Sequence, residues 1–352
     1  VLYGQGGVGG VLGMVSKRPQ AQAAREIQLQ AGNFGRKQIA TDLTGPLDAE
    51  GRWLYRLVAV GRDSGTQVDH VDDDRVLFAP SLTWRPSAAT SINLQLYHQK
   101  DRSGSLIAFY PWQGTLLPAP NGPIPTSRFI SEPGWDRYDT EQNAFAWQAS
   151  HQLDDTWTLR QNFRAANASA DYYTMYTSFT ANAALGRPAR PVFNADGRTV
   201  LRDQVVQLNT SRIRALDNQA EASWRWGAVE HTPLLGADFQ RNQTAASTYR
   251  GVAPAIDVYA PVYGNYSAVT PVTAQPVVTQ RQAGVYLQEH MQWGRWLGLL
   301  GVRHDRARSD TEGRPLAAVD DPANTKLAGL VYRADGGEPW MFDGRLVLKA
   351  RI

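Results

Sequence analysis

Strict two-residue alternation is the feature that most limits what this chain can fold into. Ile92, Leu94, Leu96 and His98 share one face of an extended segment, with Asn93, Gln95, Tyr97 and Gln99 on the other. Trp157, Leu159 and Phe163 alternate with Thr158, Arg160, Asn162 and Arg164 in the same way. Val285, Leu287, Met291 and Trp293 alternate with Tyr286, Gln288, His290 and Gln292. Successive side chains of a strand point to opposite faces, so each segment has one apolar and one polar face. Clusters of Gly, Pro, Asp and Asn break the chain into about a dozen such segments. The predicted strands are 25–33, 36–45, 52–63, 74–85, 90–102, 139–153, 156–169, 204–226, 229–246, 279–293, 296–307 and 324–333.

The connections are more specific than the strands. Every second one is short: Asp48-Ala49-Glu50-Gly51, Pro86-Ser87-Ala88-Ala89, Asp154-Asp155, Gly227-Ala228 and Gly294-Arg295. After the first hairpin at Gly32-Asn33-Phe34-Gly35, the intervening ones are long, at 64–73, 103–138, 170–203, 247–278 and 308–323. A sandwich has no reason to gather its long loops at one end. A barrel through an outer membrane does, with short turns inside and long loops outside. Trp53, Trp84, Trp157, Trp224, Trp226, Trp293 and Trp296 all flank short turns, as an interfacial aromatic girdle would. Aromatics near turns can also cap an ordinary core, but seven of eleven tryptophans at one end favour the girdle.

Other classes are excluded or weakened by the same sequence. No apolar run approaches the roughly 18 residues of a membrane helix, which leaves a β-barrel untouched. The chain has no cysteine, so neither a disulfide framework nor a thiolate metal site is open to it. A net charge of +3 with dispersed arginines gives no basic stripe for nucleic acid. Gly4-x-Gly6-x-x-Gly9 matches a dinucleotide fingerprint, but no crossover helix follows it. The six histidines are scattered, and Asp72-Asp73-Asp74 reads as a solvated loop rather than a calcium site. Gly104-Ser105 lacks the flanks of a nucleophile elbow, so no enzyme is expected and no catalytic residue is assigned.

The long loops are rich in tyrosine. Phe109-Tyr110-Pro111-Trp112 lies in loop 103–138, Tyr172-Tyr173-Thr174-Met175-Tyr176 opens loop 170–203, and Tyr249, Tyr259, Tyr263 and Tyr266 lie in loop 247–278. Tyrosine offers a broad ring and a hydroxyl at small entropic cost, which suits gripping a bulky polar ligand. Packing of the loops on one another is the competing use of the same residues.

At the N-terminus, Val1-Leu2-Tyr3-Gly4, then Gly9-Gly10, then Val15-Ser16-Lys17-Arg18-Pro19 resembles the end of the plug domain of TonB-dependent siderophore receptors. Further blocks match in order. They include Ala79-Pro80-Ser81-Leu82-Thr83-Trp84-Arg85-Pro86, Glu132-Pro133-Gly134-Trp135, Leu159-Arg160-Gln161-Asn162-Phe163-Arg164, His231-Thr232-Pro233-Leu234-Leu235-Gly236-Ala237-Asp238 and Gly301-Val302-Arg303-His304-Asp305. The likeness covers residues 1 to 337 and leans toward the ferrichrome-type, hydroxamate branch.

The resemblance implies an all-β fold, an antiparallel transmembrane β-barrel of about 22 strands closed by a plug. About twelve N-terminal strands and the end of the plug are then present here. Residues 1–20 are expected to be plug and 21–337 the N-terminal half of the barrel, with 338–352 a divergent tail that a frameshift could produce. It implies an outer-membrane receptor of a Gram-negative bacterium that binds a ferric siderophore outside and imports it with energy passed from TonB. Iron arrives chelated, so no cofactor and no protein metal site are expected. Outer-membrane lipid is the other implied partner, and a monomer is expected. Residue by residue, Tyr3 falls on a plug tyrosine turned toward ligand, Phe109 and Trp112 on a loop contact, Tyr172, Tyr173 and Tyr176 near a tyrosine pair, and Tyr249 near a further aromatic contact. A signal peptide, a TonB box and most of a plug are missing from this sequence, so the chain is expected to be a fragment that does not transport alone. A passive porin, or a TonB-dependent transporter of a non-iron ligand, is the alternative reading.

Overall fold

The computed structural model describes residues 15–181, 188–267 and 273–312, and the backbone alone of 319–332. Among the described residues, fourteen strands form a single sheet. They are β1 (Ala24–Ala31), β2 (Lys37–Pro46), β3 (Trp53–Asp63), β4 (Asp73–Ser87), β5 (Thr90–Ser103), β6 (Arg137–Gln152), β7 (Trp157–Thr177), β8 (Thr199–Ala222), β9 (Trp224–Trp226), β10 (Val229–Asp257), β11 (Thr273–Ala274), β12 (Val278–Trp293), β13 (Trp296–Thr311) and β14 (Val319–Tyr332). Neighbours pair antiparallel in chain order, β1 and β14 being the edges, while β9 and β11 each attach to β10. The predicted strands match these closely at the short-turn end. At the other end five run at least four residues further than expected: β7 reaches Thr177 rather than 169, β8 starts at Thr199 rather than 204, β10 continues to Asp257 rather than 246, β13 reaches Thr311 rather than 307, and β14 starts at Val319 rather than 324. The strand expected over 204–226 is also divided, with Ser223 separating β8 from β9.

The faces of the sheet are inverted relative to a water-soluble protein. In β12, Gly284, Tyr286 and Gln288 are buried while Val285 and Leu287 are exposed. In β13, Arg303 and Asp305 are buried while Leu300 and Val302 are exposed. The same exposed apolar face carries Leu94, Leu96, Phe145, Leu159, Leu235 and Phe239. Polar residues turned into a lumen and apolar residues turned out is the pattern of an outer-membrane barrel wall.

Two features bound the outward apolar belt. At the short-turn end, all seven girdle tryptophans are exposed, and Trp53 stacks on Trp84 across β3 and β4 at 5.5 Å. Toward the other end, Arg214, Arg241, Arg281 and Arg308 lie directly opposite one another across β8, β10, β12 and β13. Like charges opposed across strands repel; Asp310 relieves two of them, accepting from Arg281 at 2.8 Å and Arg308 at 2.9 Å. Trp296 to Arg308 is a rise of about 30 Å at barrel tilt, close to the height of the apolar band.

A membrane strand needs about 9–11 residues. β7, β8 and β10 have 21, 24 and 29, so they stand well clear of the belt as a tower. Loop 104–136, residues 188–198 and residues 258–267 pack on that tower as a cap, around a small core of Ile124, Ile130, Val200, Ile256 and Val258.

Candidate functional site at the lumen mouth

The register of β6, β7 and β8 is unbroken from the belt to the tower, so side-chain faces can be followed upward. Arg160, Asn162 and Arg164 of β7 face the lumen, where Arg160 pairs with Glu221 at 2.9 Å. Tyr172 and Tyr176 continue that face. Tyr173, one residue away, falls on the opposite side with Leu159 and Phe163. There Arg137 lies 3.4 Å over its ring and Trp135 meets it edge-on at 5.5 Å. Tyr249 of β10 likewise shares the face of Leu235 and Phe239, and its ring lies across Gly251.

On the lumen side an aromatic ladder climbs the tower. Tyr138 of β6 sits opposite Tyr172 in register, their rings meeting edge-on at 5.4 Å. About 13 Å higher, four residues along the strand, Tyr176 meets Phe109 edge-on at 5.4 Å, and Phe109 meets Phe179 at 5.0 Å. Phe109 has a φ of 51°, a left-handed backbone that bulky residues rarely adopt. Such strain persists where surrounding structure enforces it; here the loop delivers the ring between Tyr176 and Phe179. Phe109 remains half exposed despite these contacts, so its outer face is free. Trp112 projects from the same loop, with the Arg190 guanidinium 5.0 Å over its ring. Tyr3 lies outside the described residues.

The loops beneath these rings are held rigidly. Tyr110 donates to the Arg128 carbonyl at 2.5 Å, Tyr263 to Phe129 at 2.9 Å and Tyr259 to Gly122 at 2.8 Å. Burial pushes the Tyr110 and Tyr263 hydroxyls above their ordinary pKa, so they stay protonated donors. Gly114 has a φ of +83°, and a Cβ there would fall 2.9 Å from Ile124, so only glycine fits. Loop 64–72 joins the cap through Asp69, whose N–H donates to the Ser127 carbonyl at 2.9 Å. Of the loop tyrosines, then, Tyr110, Tyr259 and Tyr263 pack the cap, while Tyr138, Tyr172 and Tyr176 line the lumen.

Lumen-facing cations lower in the wall are matched by carboxylates: Arg56 by Asp42 at 2.7 Å, Arg75 by Asp101 at 2.5 Å, and Arg62 by Asp73. Lys17 joins Asp42 at 2.6 Å, and Arg56 donates to the Arg18 carbonyl at 3.0 Å, which ties the segment before β1 to the inner wall. Among the described residues no group of three or more His, Asp or Glu gathers as a metal site. Asp73 of the acidic run is occupied by Arg36 and Arg62.

The sequence alone does not single out Tyr138 and Phe179. Register opposite Tyr172 marks the first, and proximity to Tyr176 along the chain marks the second. Both signals depend on knowing that β6 and β7 pair and that β7 continues to Thr177.

An inside-out antiparallel wall bounded by a tryptophan girdle defines the wall of an outer-membrane β-barrel. The family model "TonB dependent receptor-like, beta-barrel" matches residues 78–344, and the chain belongs to this family of outer-membrane proteins. It is 33% identical over 341 residues to the ferrioxamine B receptor of Salmonella typhimurium, covering 96% of this chain and 46% of that protein. It is 30% identical over 352 residues to the ferrichrome outer membrane transporter/phage receptor of Escherichia coli, covering 96% and 47%. Among solved structures, the ferric preacinetobactin receptor BauA of Acinetobacter baumannii superposes with a TM-score of 0.74 at 14% identity, covering 91% of this chain and 46% of that one. The ferric-catecholate import receptor Fiu of E. coli gives 0.75 at 16%, covering 92% and 50%. The chain thus spans about half the length of the curated relatives it matches.

Proposed function

We propose that this chain is the ligand-gripping wall of a receptor that captures a ferric siderophore at the cell surface and imports it with TonB-transduced energy. The observation that carries the reading is the lumen-facing ladder of Tyr138, Tyr172, Tyr176, Phe109 and Phe179. A ferric siderophore presents a bulky, partly apolar periphery edged with oxygen atoms. Ring faces cover the first and tyrosine hydroxyls bond the second. The curated relatives are named for ferrioxamine and ferrichrome, which favours ligands of that chemistry.

In this reading Phe109, Tyr172 and Tyr176 touch the ligand directly, and Trp112 guards the approach. Tyr173 and Tyr249 act from the opposite face as supports for the tower. Tyr3 would meet the ligand from below, residues 1–20 being the end of a plug and 21–337 barrel. The iron stays within its chelator, so the protein supplies recognition and no metal ligand.

The test is growth of an iron-starved, siderophore-deficient host expressing the receptor, fed ferrioxamine B, ferrichrome, a ferric catecholate or ferric citrate. Rescue by at least one, lost when TonB is deleted, is expected. No rescue by any ferric siderophore overturns the reading, and rescue that persists without TonB points instead to passive passage.

A further inference from the structure

Loop 104–136 carries Phe109 and Trp112, and its two ends meet at one buried carboxyl. Ser105 N–H donates to Asp136 Oδ1 at 2.7 Å, and Asp136 N–H donates to the Glu132 carbonyl at 2.9 Å. The fit at this point is close: a Cβ on Gly104 would lie 3.1 Å from Asp136 Oδ1 and 3.2 Å from Val71. From Ser105 the contacts run straight to the mouth. Its Oγ lies 3.2 Å from the Tyr172 hydroxyl and accepts from Ile107 N–H at 3.3 Å, two residues before Phe109.

We propose that Asp136 is a proton-operated positioning residue, whose neutral carboxyl latches the base of loop 104–136 and, through Ser105, sets Tyr172 and Phe109 in place at the lumen mouth. The proposal rests on reading that mouth as the ligand site.

No cation neutralises this carboxyl among the described residues. The charged and titratable groups on every packed element are turned elsewhere. Glu132 is paired with Arg202. Arg137 lies over Tyr173, and Asp139 accepts from Ser103 N–H. Arg128 donates to the Tyr259 carbonyl, and His70 packs against Phe129 and Tyr263. Only the Ser105 amide and the hydroxyls of Ser131, Thr174 and, through Ser105, Tyr172 face it. A carboxylate so placed is costly, and burial pushes Asp136 up to about 6.

The sign follows from linkage. In an open loop the carboxyl titrates near its ordinary value of about 4. The closed loop holds the proton more tightly, so the advantage of closure is full below about pH 4. It is lost as pH rises through about 6, a change of up to about a hundredfold in the opening equilibrium. Above that the profile is flat.

The experiment uses the detergent-solubilised full receptor and follows two readouts from pH 4 to 8. One is hydrogen exchange, corrected for intrinsic rate, in peptides covering 104–136; the other is binding of ferrioxamine B. Loop protection and affinity should both fall between about pH 4 and about pH 6 and level off above it. Asp136→Asn keeps the Oδ1 acceptor and cannot ionise, so both profiles should become flat at the acid-side level. Ser105→Ala keeps the amide that meets Asp136 but frees Tyr172; affinity should drop at every pH while the exchange midpoint stays. A flat wild-type exchange profile, or a wild-type titration surviving in Asp136→Asn, overturns the latch. If ferrioxamine B fails to bind at any pH but loop exchange titrates as stated, the latch stands and the ligand reading fails. Should Asp136→Asn not assemble, the exchange profiles of wild type and Ser105→Ala decide by the same criterion.

Discussion

Arg202 and Glu132 form an ion pair at 2.8 Å with each side chain only 1% exposed. Arg202 belongs to β8 and Glu132 to loop 104–136, so the pair clamps the cap onto the tower. Every other arm is also used: Arg202 donates to the carbonyls of Pro254 at 2.8 Å and Ile130 at 2.8 Å, and Glu132 Oε2 accepts from Gly264 N–H at 2.7 Å. One guanidinium and one carboxylate thereby join β8, the end of β10 and two loops.

Breaking such a pair by removing one member costs about 3–5 kcal/mol, because the survivor stays charged and buried. Glu132→Ala should therefore release loops 104–136 and 258–267 while the membrane belt remains assembled. Limited trypsin digestion is the check, with new cleavage after Arg128. Adding Arg202→Met should restore part of the protection by removing the stranded charge. Unchanged proteolysis in Glu132→Ala would show that the hydrophobic cluster alone holds the cap.

A second close relationship lies lower in the lumen. Tyr286 of β12 lies flat across Gly236 of β10, with its hydroxyl donating to Asp217 at 2.8 Å. A Cβ at position 236 would fall 2.1 Å from the Tyr286 ring. Gly236→Ala should cost about 1–3 kcal/mol through this clash, read as a lower urea midpoint for the folded barrel. In the Tyr286→Ala background the same substitution should cost far less. Equal costs in both backgrounds would place the penalty in the strand backbone instead.

The belt was legible in sequence because lipid on one side and a polar lumen on the other impose period two on every strand. The tower was not. In Ala170 to Thr177 both faces are covered, Tyr173 by Trp135 and Tyr176 by Phe109. The apolar–polar contrast that marks a strand is therefore absent there. At the end of β10, Pro254 sits at a register shift between Ala253 and Ile256, and its ring reads as a break when the pairing partner is unknown. Aromatic content pointed to the mouth, but not to which rings share it. Tyr172 and Tyr173 are adjacent and chemically identical, and only cross-strand register separates them.

The inverted wall makes a prediction that distinguishes lipid from water. Leu287 is exposed and lies midway between Trp293 and Arg281 on β12. On a soluble surface, Leu287→Arg would change stability little. Facing the bilayer midplane it should cost about 2–4 kcal/mol. Refolding into lipid vesicles, followed by the heat-modifiable gel shift of a folded barrel, measures the difference. Val285→Arg on the same face should behave alike, whereas Gln288→Arg on the lumen face should be tolerated.

The face assignment of the tyrosines is testable by ligand affinity. Truncating a ring that contacts ligand removes about 1–2 kcal/mol, or roughly tenfold in dissociation constant. Phe109→Ala and Tyr176→Ala should each weaken ferrioxamine B binding by that amount. Because the two rings touch, the double variant should lose less than the sum of the singles. Tyr249→Ala, on the opposite face, should leave affinity unchanged, even where it loosens the packing over Gly251. Isothermal titration on the purified receptor provides the numbers. An effect confined to Tyr249 would mean that the ligand enters between tower and loops rather than through the lumen.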